Sequence, residues 1–582
     1  MFRRLSSVTK ATCIALLLSS CGHDHNNSSN NTGTTQPQQS PQDALATATP
    51  IKHLVVIFDE NESYDHYFGT YPNVSPASAG DPDFTAASGT PTSNNYVQTP
   101  TLLTANPNTT NAQNLATGIP ANLMNPFLLL RSQADTASQN HAYTPEQLAS
   151  DHGLMDAFVA HTGKTNMAGA SAFGTKAQVM GYFDGRTVTA LWNYAQNFAM
   201  SDNMFTDSFG PSTPGALNVV AGTTNGGSNA TNSTVPDGQG GWTLINDSDP
   251  AGDQCSTSTV AQTIQMSGKN IGDLLNAANI TWGSFMGGFD LTAKNANNST
   301  GCTRSTVSPV TSRQVTDYIP HHAWFQYYNS TLNKAHTRPS ATSKIGYTEA
   351  NDAPGGATAV NHEYDYNDFV AAVGAGNFPS VSYIKPPAFQ DAHPGNSNPL
   401  DEQTFVTKVL NFLQQQPDWK NTAVIVTYDD SDGWYDHQSP TILRSSFDST
   451  TPQSINPAPG TITGADQFTS SGICTSPSAG PAMGVNATPV NGRCGPGSRI
   501  PFVLISPYAK VNYIDHTAIT QASVIKFIED NWLSSKRLGG GSADTTAGDI
   551  MALFDFKSSP HTTPLYLDPT MGTKLSAAPA SS

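Results

Sequence analysis

Three runs of β-branched and apolar residues constrain this chain more than any other feature, because each stays apolar without alternating. They are His53-Leu54-Val55-Val56-Ile57-Phe58, Ala423-Val424-Ile425-Val426-Thr427-Tyr428 and Pro501-Phe502-Val503-Leu504-Ile505, with a shorter one at Val381-Ser382-Tyr383-Ile384. A strand with one wet face alternates; a continuous run needs cover on both faces, as in a parallel sheet. Between the runs, apolar residues recur at helical spacing. Phe405, Val409, Leu410 and Leu413 mark residues 401–416, Ile519, Val524, Ile525 and Ile528 mark 517–533, and 190–198 is a third candidate. Strands alternating with helices predict an α/β fold, a mixed or parallel central sheet flanked by helices. Residues 223–258, 288–318 and 440–498 lack periodicity and are expected as long loop insertions forming a cap. There is no internal repeat. Residues 49–567 are expected to form one catalytic domain, although the length would permit two, and 568–582 a disordered tail.

The N-terminus reads as an export signal. Arg3, Arg4 and Lys10 accompany the apolar run Cys13-Ile14-Ala15-Leu16-Leu17-Leu18, far shorter than the roughly 20 residues that cross a bilayer. A basic start, a short apolar core and then small residues is the order of a secretory signal, here 1–20. Leu18-Ser19-Ser20-Cys21 resembles a bacterial lipobox, whose processing would leave Cys21 as a lipidated N-terminus; the other reading is an ordinary cleavage site. Residues 21–48 hold almost no large apolar side chains and are expected as a flexible tether, with His23 and His25 solvated. The expected location is the cell envelope or outside it, as a lipoprotein of the periplasm or outer membrane that meets membrane only through this anchor.

Charge and cysteines agree with export. Only 12% of residues are charged, and 44 acids outweigh 27 Lys and Arg. Nucleic acid is bound through dense Lys/Arg contacts, so it is not an expected partner, and any anion site must be made positive locally. Beyond Cys13 and Cys21, the cysteines are Cys255, Cys302, Cys474 and Cys494, none in Cys-x-x-Cys spacing. Four cysteines allow three pairings. Local bridges, Cys255 with Cys302 and Cys474 with Cys494, are the simplest in an oxidising compartment; a zinc site is the alternative.

In open α/β sheets, ligands collect beyond the carboxyl ends of strands. Two of the apolar runs end there in acids: 54–58 runs into Asp59-Glu60-Asn61, and 424–427 leads through Tyr428 into Asp429-Asp430. Such clusters are either solvated turns or, converging from two strands, oxygen ligands for a hard cation. A nucleophile is not evident from spacing alone. Phe209-Gly210-Pro211-Ser212-Thr213-Pro214 is a turn that would place Ser212 at a helix N-terminus, where main-chain N–H groups favour an anion.

Together these segments resemble the bacterial phosphoesterase family, which contains acid phosphatases and nonspecific phospholipases C. The resemblance is carried by Asp59-Glu60-Asn61-Glu62-Ser63-Tyr64-Asp65-His66-Tyr67-Phe68-Gly69, Asn140-His141-Ala142-Tyr143, Gly210-Pro211-Ser212-Thr213-Pro214, Tyr428-Asp429-Asp430, Tyr435-Asp436-His437, Arg499-Ile500-Pro501 and Asp515-His516-Thr517. It implies an alkaline-phosphatase-like fold with the site at the carboxyl edge of the central sheet. It implies one divalent metal ion held by Glu60, Asn61, Ser212, Asp429 and Asp430, with Ser212 also the nucleophile. His141, His393, His321 and His322 would act on the phosphate ester substrate, and Asn61 would help to bind it. His437 and His516 match family positions as supporting residues.

Two departures bear on the subclass. The phospholipase branch typically has Thr where Ser212 stands and Pro-Asn-Arg where this chain has Pro214-Gly215-Ala216. It also carries Asp-Glu in place of Asp429-Asp430. Both resemble the acid phosphatase branch, which implies hydrolysis of phosphomonoesters through a phosphoseryl intermediate. A phospholipase C acting on phosphodiester headgroups is the alternative of the same fold; a non-catalytic surface-binding lipoprotein is one of another class. Unperturbed imidazole has a pKa near ~6.5, so a histidine-lined site would be cationic, and most active, in mild acid.

Overall fold

The computed structural model describes residues 39–579, apart from 166, 168, 170, 349–359, 446–473 and 475–479. The expected signal at 1–20, the lipidation site Cys21 and the His23/His25 pair lie outside the described residues. An eight-stranded mixed sheet organises the rest. In chain order its strands are β1 (His53–Asp59), β2 (Ala199–Ser201), β3 (Trp282–Met286), β4 (Glu363–Asp365), β5 (Val381–Lys385), β6 (Thr422–Tyr428), β7 (Phe502–Ile505) and β8 (Tyr513–Asp515). Across the sheet they follow β4-β3-β5-β1-β6-β7-β2-β8.

The five strands from β4 to β6 are parallel. β7 runs antiparallel to both of its neighbours, and β8 pairs parallel with β2. The run at 501–505 therefore lies in the sheet in the opposite direction to that expected of a purely parallel sheet. A continuous apolar run reports cover on both faces, whichever way the strand points. In β1, Leu54 through Phe58 are fully buried. Burying each such side chain contributes about 1.5–3 kcal/mol, so the acidic turn that follows starts from a firmly held strand end.

Among the described residues the α-helices of five residues or more are α1 (Tyr64–Phe68), α2 (Tyr143–Ser150), α3 (Thr189–Asn197), α4 (Ser212–Ala221), α5 (Ile271–Ala277), α6 (Tyr366–Gly374), α7 (Pro399–Leu413) and α8 (Ala522–Trp532). Expected helices at 190–198, 401–416 and 517–533 appear as α3, α7 and α8. The last starts later because Ile519–Thr520 forms a short strand first. One hydrophobic cluster joins β1, β5, β6 and β7 to α3 through α8. No helix among the described residues is long and apolar enough to cross a membrane.

The insertions have structure of their own. Asn225–Gly227, Thr234–Pro236 and Trp242–Leu244 form a small antiparallel sheet, and Ser305–Val307 pairs with Gln314–Thr316. Cys255 is bonded to Cys302, linking the first two insertions, and Cys474 to Cys494 within the third.

Residues on the far side of both expected boundaries of the catalytic domain are fastened to the fold. Ser40 and Gln42 are buried. Ser40 N donates to Asp418 Oδ1 at 3.0 Å, Gln42 Nε2 to Asn377 Oδ1 at 3.3 Å, and His53 Nε2 lies 2.9 Å from Asp43 Oδ1. Mostly polar side chains fasten 40–48, with Leu45 packed against the core, so its composition resembles a tether. The segment expected as a loose tail is likewise fastened. Gln403 Nε2 donates to Thr570 O at 2.8 Å, Asn193 Nδ2 to Gly572 O at 2.9 Å, and Leu567 bridges to Lys574.

Candidate active site

Three adjacent parallel strands, β5, β1 and β6, end along one edge. Asp59 stands opposite Tyr428, and Asp429 N donates to Asp59 O at 3.2 Å. The chain thus leaves β1 into Glu60-Asn61 and β6 into Asp429-Asp430 side by side. β5 closes on Lys385 and continues into the turn bearing Asp391 and His393. Glu60, Asn61, Ser212, Asp429 and Asp430 are each at most 1% exposed.

Ser212 opens α4 directly after Gly210-Pro211, so its hydroxyl stands where unpaired main-chain N–H groups make a positive field. Pro214, in the first turn, lacks an N–H that would have had no helical partner. Ser212 Oγ donates to Glu60 Oε2 at 2.9 Å and lies 3.4 Å from both Asn61 Oδ1 and Asp430 Oδ2. Asn61 has a φ of 64°, a left-handed conformation that asparagine tolerates. Its N–H donates to Asp429 Oδ1 and its Nδ2 to Asp432 Oδ1, both at 2.9 Å. This fixes the amide with Oδ1 toward Ser212.

Burial and mutual repulsion strain this cluster electrostatically. Burial, then Asp429, pushes the carboxyls of Glu60 and Asp430 well above their ordinary range. Burial also acts on Asp429, but Lys385 and hydrogen bonds from its neighbours outweigh it and hold that carboxyl low. Asp429 Oδ2 is buried without a hydrogen-bond partner. Three packed carboxyl groups, an amide oxygen and a serine oxygen form the hard oxygen set that divalent cations such as Mg²⁺, Mn²⁺ or Ca²⁺ favour. Glu60, Asn61, Ser212, Asp429 and Asp430 are the residues that could hold such an ion.

The four histidines divide into two kinds. His141 Nδ1 lies 3.0 Å from Asp432 Oδ1, and its Nε2 faces Asn61 Nδ2 at 3.5 Å. Burial opposes its charge, yet Asp430 and Asp432 outweigh burial and hold its pKa well above the usual value. His321 is likewise held up against burial, by Asp249 and Asp247. His322 is held well below the usual value by burial and then by His321 and Lys385, and His393 is lowered chiefly by burial. The rings of His141 and His393 are 6.1 Å apart, those of His322 and His393 6.4 Å, and those of His321 and His322 4.5 Å. All four border one centre, but only His141 and His321 favour the cationic form. His322 directs Nδ1 at Glu60 Oε1, 3.1 Å away. His437 lies off the centre, 2.6 Å from Asp65 Oδ2 in a network with Arg499, and the ring of His516 is mostly exposed against Asp202.

Lys385, Asp391, Asp432 and Glu146 belong to the site without having been singled out from sequence. Lys385 Nζ bonds Glu60 Oε1. Burial works against this ammonium, but Glu60, Asp429 and Asp391 outweigh it and raise its pKa. Glu146 accepts from Gly210 N at 2.9 Å and from Ser431 Oγ at 2.9 Å, tying the turn before Ser212 to the turn after Asp430. Burial lifts its pKa to about 7. The sequence signal of Lys385, Asp391 and Glu146 was weak, a lone charge beside a strand end or in a helix, while Asp432 stands two residues after the Asp429-Asp430 pair. A cavity of about 570 Å³ adjoins the centre, lined by Asn140, His141, Lys164, Asn232, Asp247 and His321 among others.

A mixed α/β sheet with a buried, serine-bearing carboxylate centre at its strand ends defines the class. The family model described as Phosphoesterase family matches residues 51–533, and the chain belongs to that family. It is similar to a non-hemolytic phospholipase C of Burkholderia pseudomallei, 28% identical over 190 residues that make up 31% of this chain and 24% of that protein. Phospholipase C A of Mycobacterium tuberculosis is 25% identical over 247 residues, 41% of this chain and 42% of its own length. A hemolytic phospholipase C of Pseudomonas aeruginosa is 28% identical over 182 residues, 31% of this chain and 21% of its own. The chain therefore matches less than half the length of each of these relatives.

Proposed function

We propose that this chain is a metal-dependent phosphoric ester hydrolase that acts on phosphomonoesters through Ser212, as an acid phosphatase does. The observation that carries the reading is the place of Ser212: buried, at the start of α4, 2.9 Å from Glu60 and 3.4 Å from Asn61 and Asp430. A divalent cation held there would supply the charge that lowers the pKa of the serine hydroxyl and offsets a phosphoryl oxygen. Ser212 gives up its proton to the carboxylate cluster as Oγ bonds phosphorus and the ester P–O bond breaks. The leaving alkoxide takes a proton from a cationic histidine, His141 or His321, which also attract the phosphate oxygens. Water then cleaves the phosphoseryl bond and restores Ser212. His393 and the N-terminal field of α4 complete the phosphate pocket.

The cavity lining favours a water-soluble leaving group. Asn140, Asn232, Lys164 and Asp247 offer hydrogen bonds, whereas acyl chains require an apolar wall. The names of the relatives favour the second reading, a phospholipase C. Side-by-side turnover of p-nitrophenyl phosphate and of phosphatidylcholine vesicles separates the two. The account expects the monoester to be favoured at least about tenfold, a difference of about 1.4 kcal/mol in transition-state stabilisation; the reverse ratio assigns the phospholipase. No turnover of either, with metal bound, would leave a non-catalytic lipoprotein.

A further inference from the structure

The two oxygens of Glu60 serve different partners. Oε2 accepts from Ser212. Oε1 bonds Lys385 Nζ and lies 3.1 Å from His322 Nδ1, which in turn lies 3.8 Å from Asp391 Oδ2. Ligand atoms of Glu60, His322 and Asp391 all fall within 4.8 Å of one another, and all three residues are buried. Asp391 Oδ2 is buried without a hydrogen-bond partner. Two carboxylates and an imidazole arranged this way are the donor set of a second cation, with Glu60 shared between it and the set beside Ser212.

We infer that Lys385 takes the place of this second metal ion, so that the centre holds one. The inference rests on the reading that Glu60, Asn61, Ser212, Asp429 and Asp430 bind a metal. Lys385 is the last residue of β5 and stands opposite Met286 of β3, so its backbone is held within the sheet. Its side chain is 2% exposed, and its Nζ is 5.5 Å from the Phe58 ring centre. The ammonium carries one positive charge to Glu60 Oε1 where a divalent ion would carry two. It has donors only, and its charge and position compete with an ion at that oxygen. Asp391 and His322 keep ligand geometry around a cation that cannot dissociate.

The test counts manganese in the full chain loaded with MnCl₂, by elemental analysis after free ion is removed and by anomalous scattering from crystals. The wild type should hold one Mn²⁺ beside Ser212 and Asp430, with Lys385 still bonded to Glu60. Lys385→Ala should gain a second ion at Glu60, His322 and Asp391, and adding Asp391→Asn should remove it. Two ions in the wild type, or one in folded Lys385→Ala, would overturn the inference. If Lys385→Ala does not fold, the wild-type anomalous map decides alone: a peak between His322 and Asp391 overturns it. No manganese in the wild type would overturn the metal reading itself, and this inference with it.

Discussion

Gly215 of α4 lies against the backbone of Asp429 so closely that a methyl group on it would stand 2.2 Å from the Asp429 carbonyl oxygen. The helix bearing Ser212 and the strand end bearing the carboxylates are thus in direct main-chain contact. Ser212, one turn before Gly215, takes its position from that contact.

Gly215→Ala should therefore displace Ser212. Alanine gains about 0.5–1 kcal/mol of helix preference, but overpacking costs about 1–3 kcal/mol. A shift near 1 Å at reacting atoms costs about a hundredfold in rate. Steady-state kinetics should show kcat reduced by about that factor in a protein that still melts cooperatively. Unchanged kcat would show that the contact has slack.

Asp432 is fully buried and accepts from Asn61 Nδ2 at 2.9 Å, Ser138 Oγ at 2.9 Å and Gln139 N at 2.7 Å while facing His141 Nδ1 at 3.0 Å. It holds Asn61 toward Ser212 and His141 toward the cavity. Asp432→Asn should lower metal content and turnover together by about 10–100-fold, as loss of a carboxylate that orients metal ligands does. Elemental analysis beside kinetics checks it; full metal with full activity would remove Asp432 from this role.

The legible parts of the sequence were those where one local pattern was enough. β1 and β6 announced themselves because 54–58 and 423–428 are apolar on both faces. The direction of β7 was not legible, since burial is blind to direction. β2, β4 and β8 have three residues each, too few to show a period. Glu60-Asn61 and Asp429-Asp430 were readable as acids at strand ends, but Ser212 was readable as a candidate nucleophile only through family resemblance. Lys385 and Asp391 were missed because a single charge after a strand looks like a solvated turn. Only the neighbouring strands, far away in sequence, bury it.

A network behind the site makes stability depend on pH. His437 Nδ1 lies 2.6 Å from Asp65 Oδ2, and Arg499 joins Asp65 to Asp436. Burial opposes charge on both partners, yet the pair outweighs it, raising the pKa of His437 and lowering that of Asp65. A raised histidine pKa stabilises fully below the unfolded value of about 6.5 and is lost as pH rises through the folded value. A lowered aspartate pKa stabilises above about 3.9 and is lost as pH falls through its folded value. The Tm gap between wild type and His437→Gln should be widest between about pH 4 and 6.5 and narrow in alkali. A gap that does not change with pH would contradict the pairing.

The lipid anchor expected at Cys21 has a simple test. Cys21→Ala should move the protein from the membrane fraction to the soluble one and leave its turnover in detergent unchanged. Membrane association that persists would assign another anchor.

The central claim is that Ser212 attacks phosphorus. Acid quenching of the metal-loaded enzyme during turnover of a phosphomonoester, followed by peptide mass analysis, tests it most directly. The account predicts one phosphoryl group on the peptide containing Ser212, absent in Ser212→Ala, whose kcat should fall at least about a thousandfold, or about 4 kcal/mol. A variant that keeps more than about a tenth of wild-type turnover, within about 1.4 kcal/mol of its barrier, or a phosphoryl group on another residue, would contradict it.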